Sequence, residues 1–378
     1  MPELDSLRGI AILAVVFYHG FPYAYAGTPS LEHAFLRLTQ WGFLGVNLFF
    51  VLSGFLITGI LLDSKNKPRY YSTFYIRRAL RILPAYCLLL VILLVLPRLG
   101  LVQRHVSWSF IGLSFIYLSN FTTLFGVPMQ YGPLWSLAVE EHFYFLWPAA
   151  VRTLKVKWLV CCTALVLLAS PIIRAIMFRG GHSAEGGYTW LVADGLAMGA
   201  LVAILSRSRF STRPAMRGLT LALLALCAAA VAAGWRYGIL SPDALAGAAF
   251  RRTLVSILFA AVLGASLVIG TGRWAWIVRR PVLRFYGEIS YGLYLIHTLA
   301  FDVTDRFLPA IERMAAQGHF SMMVLRFLLS ASIATLMAYL SRRYFEERFL
   351  RLKDRWSAPS AESQTRAAES VEPVEQVA

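Results

Sequence analysis

Hydrophobic residues in this chain gather into long runs, where a half-buried strand would alternate and a surface helix would show a one-sided stripe. Uncharged runs occupy 9–26, 40–62, 82–97, 107–126, 158–173, 218–235, 253–272 and 321–341, and runs with more polar residues occupy 137–151, 186–206 and 285–301. About 20 apolar residues carry a helix across a bilayer. The pattern therefore predicts an all-α polytopic membrane protein with eleven candidate segments.

Loop charge reduces the eleven to ten, because basic residues concentrate on the cytoplasmic side of membrane proteins. The strongest basic stretch, Lys65, Lys67, Arg69, Arg77, Arg78 and Arg81, sets the N-terminus inside and Arg98 and Arg104 outside. Were 107–126 to cross, Arg152, Lys155 and Lys157 would fall outside; if it dips in and returns, they and every later basic cluster fall inside. Ser107, Ser109, Ser114, Ser119, Asn120, Thr122 and Thr123 also make it a poor lipid-facing helix, and irregular backbone at membrane depth is tolerated where protein shields it. The prediction is about ten transmembrane helices, one re-entrant segment at 107–126, and both termini cytoplasmic. Residues 1–353 read as a single transmembrane domain and the polar stretch 354–378 as a disordered cytoplasmic tail. Ala24-Tyr25-Ala26 has a small-x-small cleavage pattern, but Glu3 and Asp5 against Arg8 oppose the positive charge of a signal peptide, so the first run is expected to be retained.

Composition narrows the class further. Of 378 residues 58% are hydrophobic and 15% charged, against about 25% charged in soluble domains. That excludes a disordered scaffold, a small disulfide-stapled domain and an ordinary soluble enzyme. Net charge is +16, from 36 Lys+Arg against 20 Asp+Glu. In a soluble protein this would suggest nucleic acid; here basic cytoplasmic loops account for it, and no nucleic-acid partner is expected. Most of the cations are arginines, whose planar fork suits phosphate. Cys87, Cys161, Cys162 and Cys227 sit in apolar runs without zinc-ligand spacing, so neither a disulfide framework nor a metal site is expected.

Ionisable residues at membrane depth are costly and point to function. Arg8 and His19 in the first run are eleven residues apart, which on a helix is about 16 Å along the axis and about 20° past three turns. Both therefore face one way, with His19 deep when Arg8 is at the inner surface; a histidine bonded to a neighbouring helix is the competing explanation. Arg77, Arg78 and Arg81 share one side of the helix that opens the third span, either as snorkelling anchors or as a clamp for phosphate. In WSLAVEEHFYFLWP (135–148), Glu140 and Tyr144 share a face, with Trp135 near the interface. Tyr286, Ser290, Tyr294 and His297 form a stripe in 285–301, read as cavity lining or as glue between helices. Ser53 lies among the small residues Gly42, Gly45 and Gly54, which suit close packing, and is assigned with the cavity.

Taken in order, Arg8–x10–His19, GVNLFFVLSGFLI (45–57), RRALRILP (77–84), WSLAVEEHFY (135–144), ISYGLYLIH (289–297) and LSRRYFEERFLR (340–351) resemble the acyltransferase-3 family of integral membrane acyltransferases. The resemblance implies transfer of an acyl group, most often acetyl, from acyl-CoA to a hydroxyl of an extracytoplasmic or lipid-linked carbohydrate in the cytoplasmic membrane of a bacterium. It implies acetyl-CoA as cosubstrate with no permanently bound cofactor, and acyl-CoA, a carbohydrate acceptor and membrane lipids as partners. Carried onto this sequence, it marks His19 as the catalytic base with Arg8 its partner, Arg78 and Arg81 as a conserved cytoplasmic arginine pair, and Glu140 as the acidic residue of the WSLxxE motif; Glu140 is expected to be catalytic with His19, orienting the acceptor or the imidazole, and Arg8, Arg77, Arg78 and Arg81 to bind the donor. Asn47, His142 and Val192 depart from the family pattern, which often has Asp, Gln and Arg there. A carrier or flippase for an anionic glycolipid or sugar is the alternative, and would use the same arginines to hold phosphate.

Overall fold

The computed structural model describes residues 1–22, 30–183, 186–208, 212–270 and 275–357. Most of the expected tail (358–378) and the Ala24-Tyr25-Ala26 pattern lie outside the described residues. Among the described residues the regular structure is entirely helical. The α-helices are α1 (Pro2–Gly20), α2 (Leu31–Gln40), α3 (Leu44–Ser64), α4 (Tyr70–Arg98), α5 (Trp108–Phe115), α6 (Leu134–Thr153), α7 (Val156–Arg179), α8 (Thr189–Leu205), α9 (Arg213–Gly234), α10 (Leu245–Gly270), α11 (Ala275–Val278), α12 (Pro281–Phe307), α13 (Pro309–Ala316), α14 (Phe320–Leu340) and α15 (Glu347–Ser357).

Among the described residues, six helical stretches are long and apolar enough to cross a membrane: Leu31–Ser64, Tyr70–Arg98, Val156–Arg179, Arg213–Tyr237, Leu245–Ile269 and Phe320–Leu352. The other four of the ten expected crossings also coincide with helices, namely α1, α6, α8 and α12. Of these, α8 is short at 17 residues. The others carry ionisable residues along their length, among them Asp5 and Arg8 in α1, Glu140 and Glu141 in α6, and Asp302 and Asp305 in α12. Several of these groups face protein: Arg8, Glu140 and Glu141 line one cavity, and Asp305 accepts from Arg326 (2.6 Å).

The segment 107–126 does not form a helix of crossing length. It consists of α5, whose eight residues rise only about 12 Å, and a 3-10 turn at Ser119–Phe125. Tyr117 ends α5 with φ 58°, a left-handed position that usually takes glycine; Leu118 N–H donates to Leu113 and Tyr117 N–H to Ser114. Protein satisfies part of the segment's polar content: Ser119 donates to the Leu134 carbonyl (2.8 Å), Asn120 to Thr189 (2.9 Å), and Tyr86 to the Ser114 carbonyl (2.6 Å).

Helix α1 is central, packed against α12, α3 and α10. Its closest approach to α12 is made by glycine on each side, since a Cβ on Gly9 would overlap the Leu283 carbonyl and one on Gly287 the Asp5 carbonyl. Gly54 and Gly199 perform the same service between α3 and α8. A fully buried ion pair ties α7, α8 and α10: Arg174 donates to Asp194 (3.0 Å), to Thr253 (2.6 Å) and to the Ala249 carbonyl (2.9 Å). Every part of that guanidinium is paired, as a charge at such depth requires.

Candidate functional site

Helical spacing aims one face each of α1, α3, α4, α6 and α12 at a common cavity of about 760 Å3. From α3 come Val46, Phe49, Ser53, Leu56, Ile60 and Ser64, at steps of three and four residues; from α6 come Ser136, Glu140 and Tyr144, each four apart. Helix α1 contributes Asp5 and Arg8, α4 contributes Arg77, Arg78 and Arg81, and α12 contributes Ser290, Tyr291 and Tyr294. The loop Lys67-Pro68-Arg69 forms the exposed rim.

The cavity wall carries six basic side chains against three acidic ones, Asp5, Glu140 and Glu141. Arg8, Arg78 and Arg81 are half-buried and make no hydrogen bond or ion pair among the described residues. Arg78 lies over the Tyr144 ring at 4.8 Å. The Glu140 carboxylate accepts from Ser53 Oγ (3.0 Å) and Tyr144 Oη (2.7 Å), and these two hydroxyls are 3.1 Å apart. Both carboxylate oxygens are thus held by hydroxyls on the cavity wall that Arg8 and Arg78 share. Guanidinium groups gathered on one cavity wall, with fewer anions than cations, have the chemistry to hold a polyanion.

His19 lies outside this cavity wall. Its ring is partly buried and packs against His297 at 4.9 Å, with Nδ1 3.2 Å from His297 Nε2 and 3.0 Å from the Val15 carbonyl. His297 is fully buried, and its Nδ1 is 2.8 Å from the Tyr294 carbonyl and 3.2 Å from that of Leu293. Tyr294 joins the two regions. It lines the cavity, its ring centroid is 5.7 Å from that of His297, and its hydroxyl is 2.5 Å from Ser136 Oγ.

Of the residues singled out from sequence, Arg8, Ser53, Arg77, Arg78, Arg81, Glu140, Tyr144, Ser290 and Tyr294 meet in the cavity. Trp135, Tyr286 and His297 do not line it. Trp135 packs edge-on to Phe50 at 5.9 Å and closes over Gly187; Tyr286 sits one residue before the α1 contact at Gly287, against Phe285 at 5.4 Å. His297 is turned from the cavity onto His19. Glu140 bonds within the cavity and makes no hydrogen bond to His19. Sequence reasoning missed Ser136, although it stands four residues before Glu140, and missed Tyr291, which donates to the Ile82 carbonyl (2.9 Å) two residues before Pro84. It also missed Arg174, the partner of Asp194, even though a lone arginine near the end of an apolar run was a visible sign.

Comparison with known proteins places this architecture. A family model described as an acyltransferase domain matches residues 1–343. The peptidoglycan O-acetyltransferase OatA of Listeria monocytogenes serovar 1/2a is 35% identical over 175 residues, covering 42% of this chain and 25% of that protein. "Putative peptidoglycan O-acetyltransferase YrhL" of Bacillus subtilis is 30% identical over 326 residues, covering 79% of this chain and 48% of that protein. "Putative O-acetyltransferase SAS0844" of Staphylococcus aureus is 26% identical over 389 aligned residues, covering 92% of this chain and 57% of that protein. The chain thus spans between a quarter and somewhat over half the length of these curated relatives. No solved structure matches it.

Proposed function

This chain belongs to the acyltransferase-3 family, and on that premise we propose that it moves an acetyl group from acetyl-CoA to a hydroxyl of an extracytoplasmic carbohydrate, peptidoglycan first among the candidates. In this reading the ten long or central helices α1, α3, α4, α6 to α10, α12 and α14 cross the cytoplasmic membrane of a bacterium. Both termini and the Lys67-Pro68-Arg69 rim face the cytoplasm.

The observation that carries the proposal is the cationic cavity together with a histidine on the same helix. Arg8 lies on the cavity wall and His19 lies eleven residues further along α1, about 16 Å along its axis. Coenzyme A is a long molecule with phosphates at one end and a thioester at the other. Its phosphates pair with the rim cations and with Arg8, Arg78 and Arg81, and its arm points the thioester toward Tyr294 and the histidines. The acceptor hydroxyl gives its proton to His19 as its oxygen attacks the thioester carbonyl. The tetrahedral intermediate then expels the coenzyme A thiolate, which takes the proton back from the imidazolium. Glu140 acts by position: it holds Ser53 and Tyr144 on the wall that Arg8 and Arg78 share.

The test is transfer itself. The purified chain in liposomes is given acetyl-CoA labelled in the acetyl group, with soluble peptidoglycan fragments on the opposite side. The proposal expects a gain of one acetyl mass on the fragments and release of free coenzyme A. Movement of an anionic glycolipid across the bilayer with the thioester intact supports the carrier instead.

A further inference from the structure

Hydrogen-bond logic fixes where the protons sit on the two histidines. A carbonyl oxygen only accepts, so the two carbonyls beside His297 Nδ1, at 2.8 and 3.2 Å, require that nitrogen to carry the hydrogen. In a neutral ring Nε2 is then bare, and neutrality is what a fully buried imidazole with no acidic partner adopts. His19 Nδ1 therefore has two acceptors facing it, His297 Nε2 at 3.2 Å and the Val15 carbonyl at 3.0 Å. It must carry the hydrogen that both need. By exclusion the lone pair of His19 is on Nε2, which makes no hydrogen bond among the described residues.

We infer that His297 is a positioning residue, which takes its orientation from the carbonyl of Tyr294 and holds His19 in the Nδ1–H tautomer with Nε2 bare. The inference rests on the reading of His19 as base and deepens it by naming what prepares that base. As Nε2 takes up the proton of the acceptor hydroxyl, positive charge spreads to Nδ1–H, and the bond to His297 Nε2 strengthens without any group moving. The chain Tyr294 carbonyl, His297, His19 does for this imidazole what an acidic partner does in other sites, without a charged side chain behind it. Because the anchoring carbonyl belongs to the residue whose ring lines the cavity, a shift of Tyr294 on donor binding also reaches the base.

The experiment uses the full chain in nanodiscs, labelled with nitrogen-15 histidine. Of the seven histidines, His19 is assigned by its loss in His19→Ala. The wild type is expected to show a pyrrole-type Nδ1 and a pyridine-type Nε2 on His19. His297→Leu removes the acceptor; the His19 signal should become a mixture of tautomers, and kcat should fall tenfold to a hundredfold with the KM for acetyl-CoA unchanged. His297→Gln keeps an acceptor oxygen within reach and should recover most of both. A wild-type His19 protonated on Nε2, or a His297→Leu spectrum with the tautomer unchanged, overturns the inference; if His297→Leu does not fold, the wild-type and His297→Gln spectra still decide it. A His19→Ala protein that transfers at the normal rate would remove the base reading while leaving the tautomer measurement to be judged on its own.

Discussion

Replacing Arg81 by glutamine should move stability and donor binding in opposite directions. Arg81 lines the cavity without an anionic hydrogen-bond partner, and the charges acting on it include Arg8, Arg78 and Arg342 of its own sign, against Glu346 of the opposite sign. Two like charges about 8 Å apart repel by about 2 kcal/mol at an effective dielectric constant near 20. Removing one member of the cluster relieves several such pairs, so the ligand-free variant should melt at or above the wild-type temperature. When phosphate is bound the same guanidinium makes charge-assisted hydrogen bonds worth about 1.5–3 kcal/mol, so the KM for acetyl-CoA should rise roughly tenfold to a hundredfold. Because the bond forms alike in ground state and transition state, kcat should hardly change. The assay is a melting curve of purified protein with and without acetyl-CoA, beside steady-state release of free thiol. A variant with lower ligand-free stability and unchanged KM would refute the reasoning, since the arginine would then be structural.

Glu140→Gln should act with the reverse sign: the carboxylate that accepts from Ser53 and Tyr144 is lost from the wall it shares with Arg8 and Arg78, so the empty protein should melt lower while the KM for acetyl-CoA is not raised, as the same two assays will report. Gly287→Val places a branched side chain against the Asp5 backbone on the α1–α12 contact, and overpacking of this kind costs about 1–3 kcal/mol; a lower melting temperature and loss of activity should appear together. Arg174→Leu leaves Asp194 buried without its partner, a loss of about 3–5 kcal/mol, and should cut the yield of folded protein in detergent measured by size-exclusion chromatography.

Much of this was legible before any coordinates. The long apolar runs at 82–97 and 158–173 fall within the helices α4 and α7, and the polar interruption of 107–126 corresponds to the break between α5 and its 3-10 turn. Ser53, Glu140, Tyr144 and the arginines were visible because ionisable and polar groups are rare in apolar helices, and helical spacing puts Arg77 with Arg81 and Glu140 with Tyr144. What periodicity cannot supply is which helix faces which. His19 and His297 are 278 residues apart in sequence, so the stripe on α12 could be seen but not its division, with Ser290 and Tyr294 toward the cavity and His297 away from it. Trp135 and Tyr286 have suitable chemistry but do not line the cavity; Tyr286 shares the stripe of Ser290 and Tyr294 and packs one residue before the α1 contact at Gly287. Arg174 follows an apolar run, where arginines ordinarily serve as topology signals, and only the fold shows it paired with Asp194.

In the proposed reaction His19 takes the proton of the acceptor hydroxyl, about 16 Å along α1 from Arg8, one of the arginines proposed to hold the donor. The most direct measurement is a single turnover of labelled acetyl-CoA by His19→Ala beside the wild type, with acetyl-CoA affinity measured on the same samples. Affinity should be unchanged and the transfer rate lower by about a hundredfold to ten-thousandfold, the contribution of a general base. Transfer at the wild-type rate by a variant that binds the donor normally would contradict it.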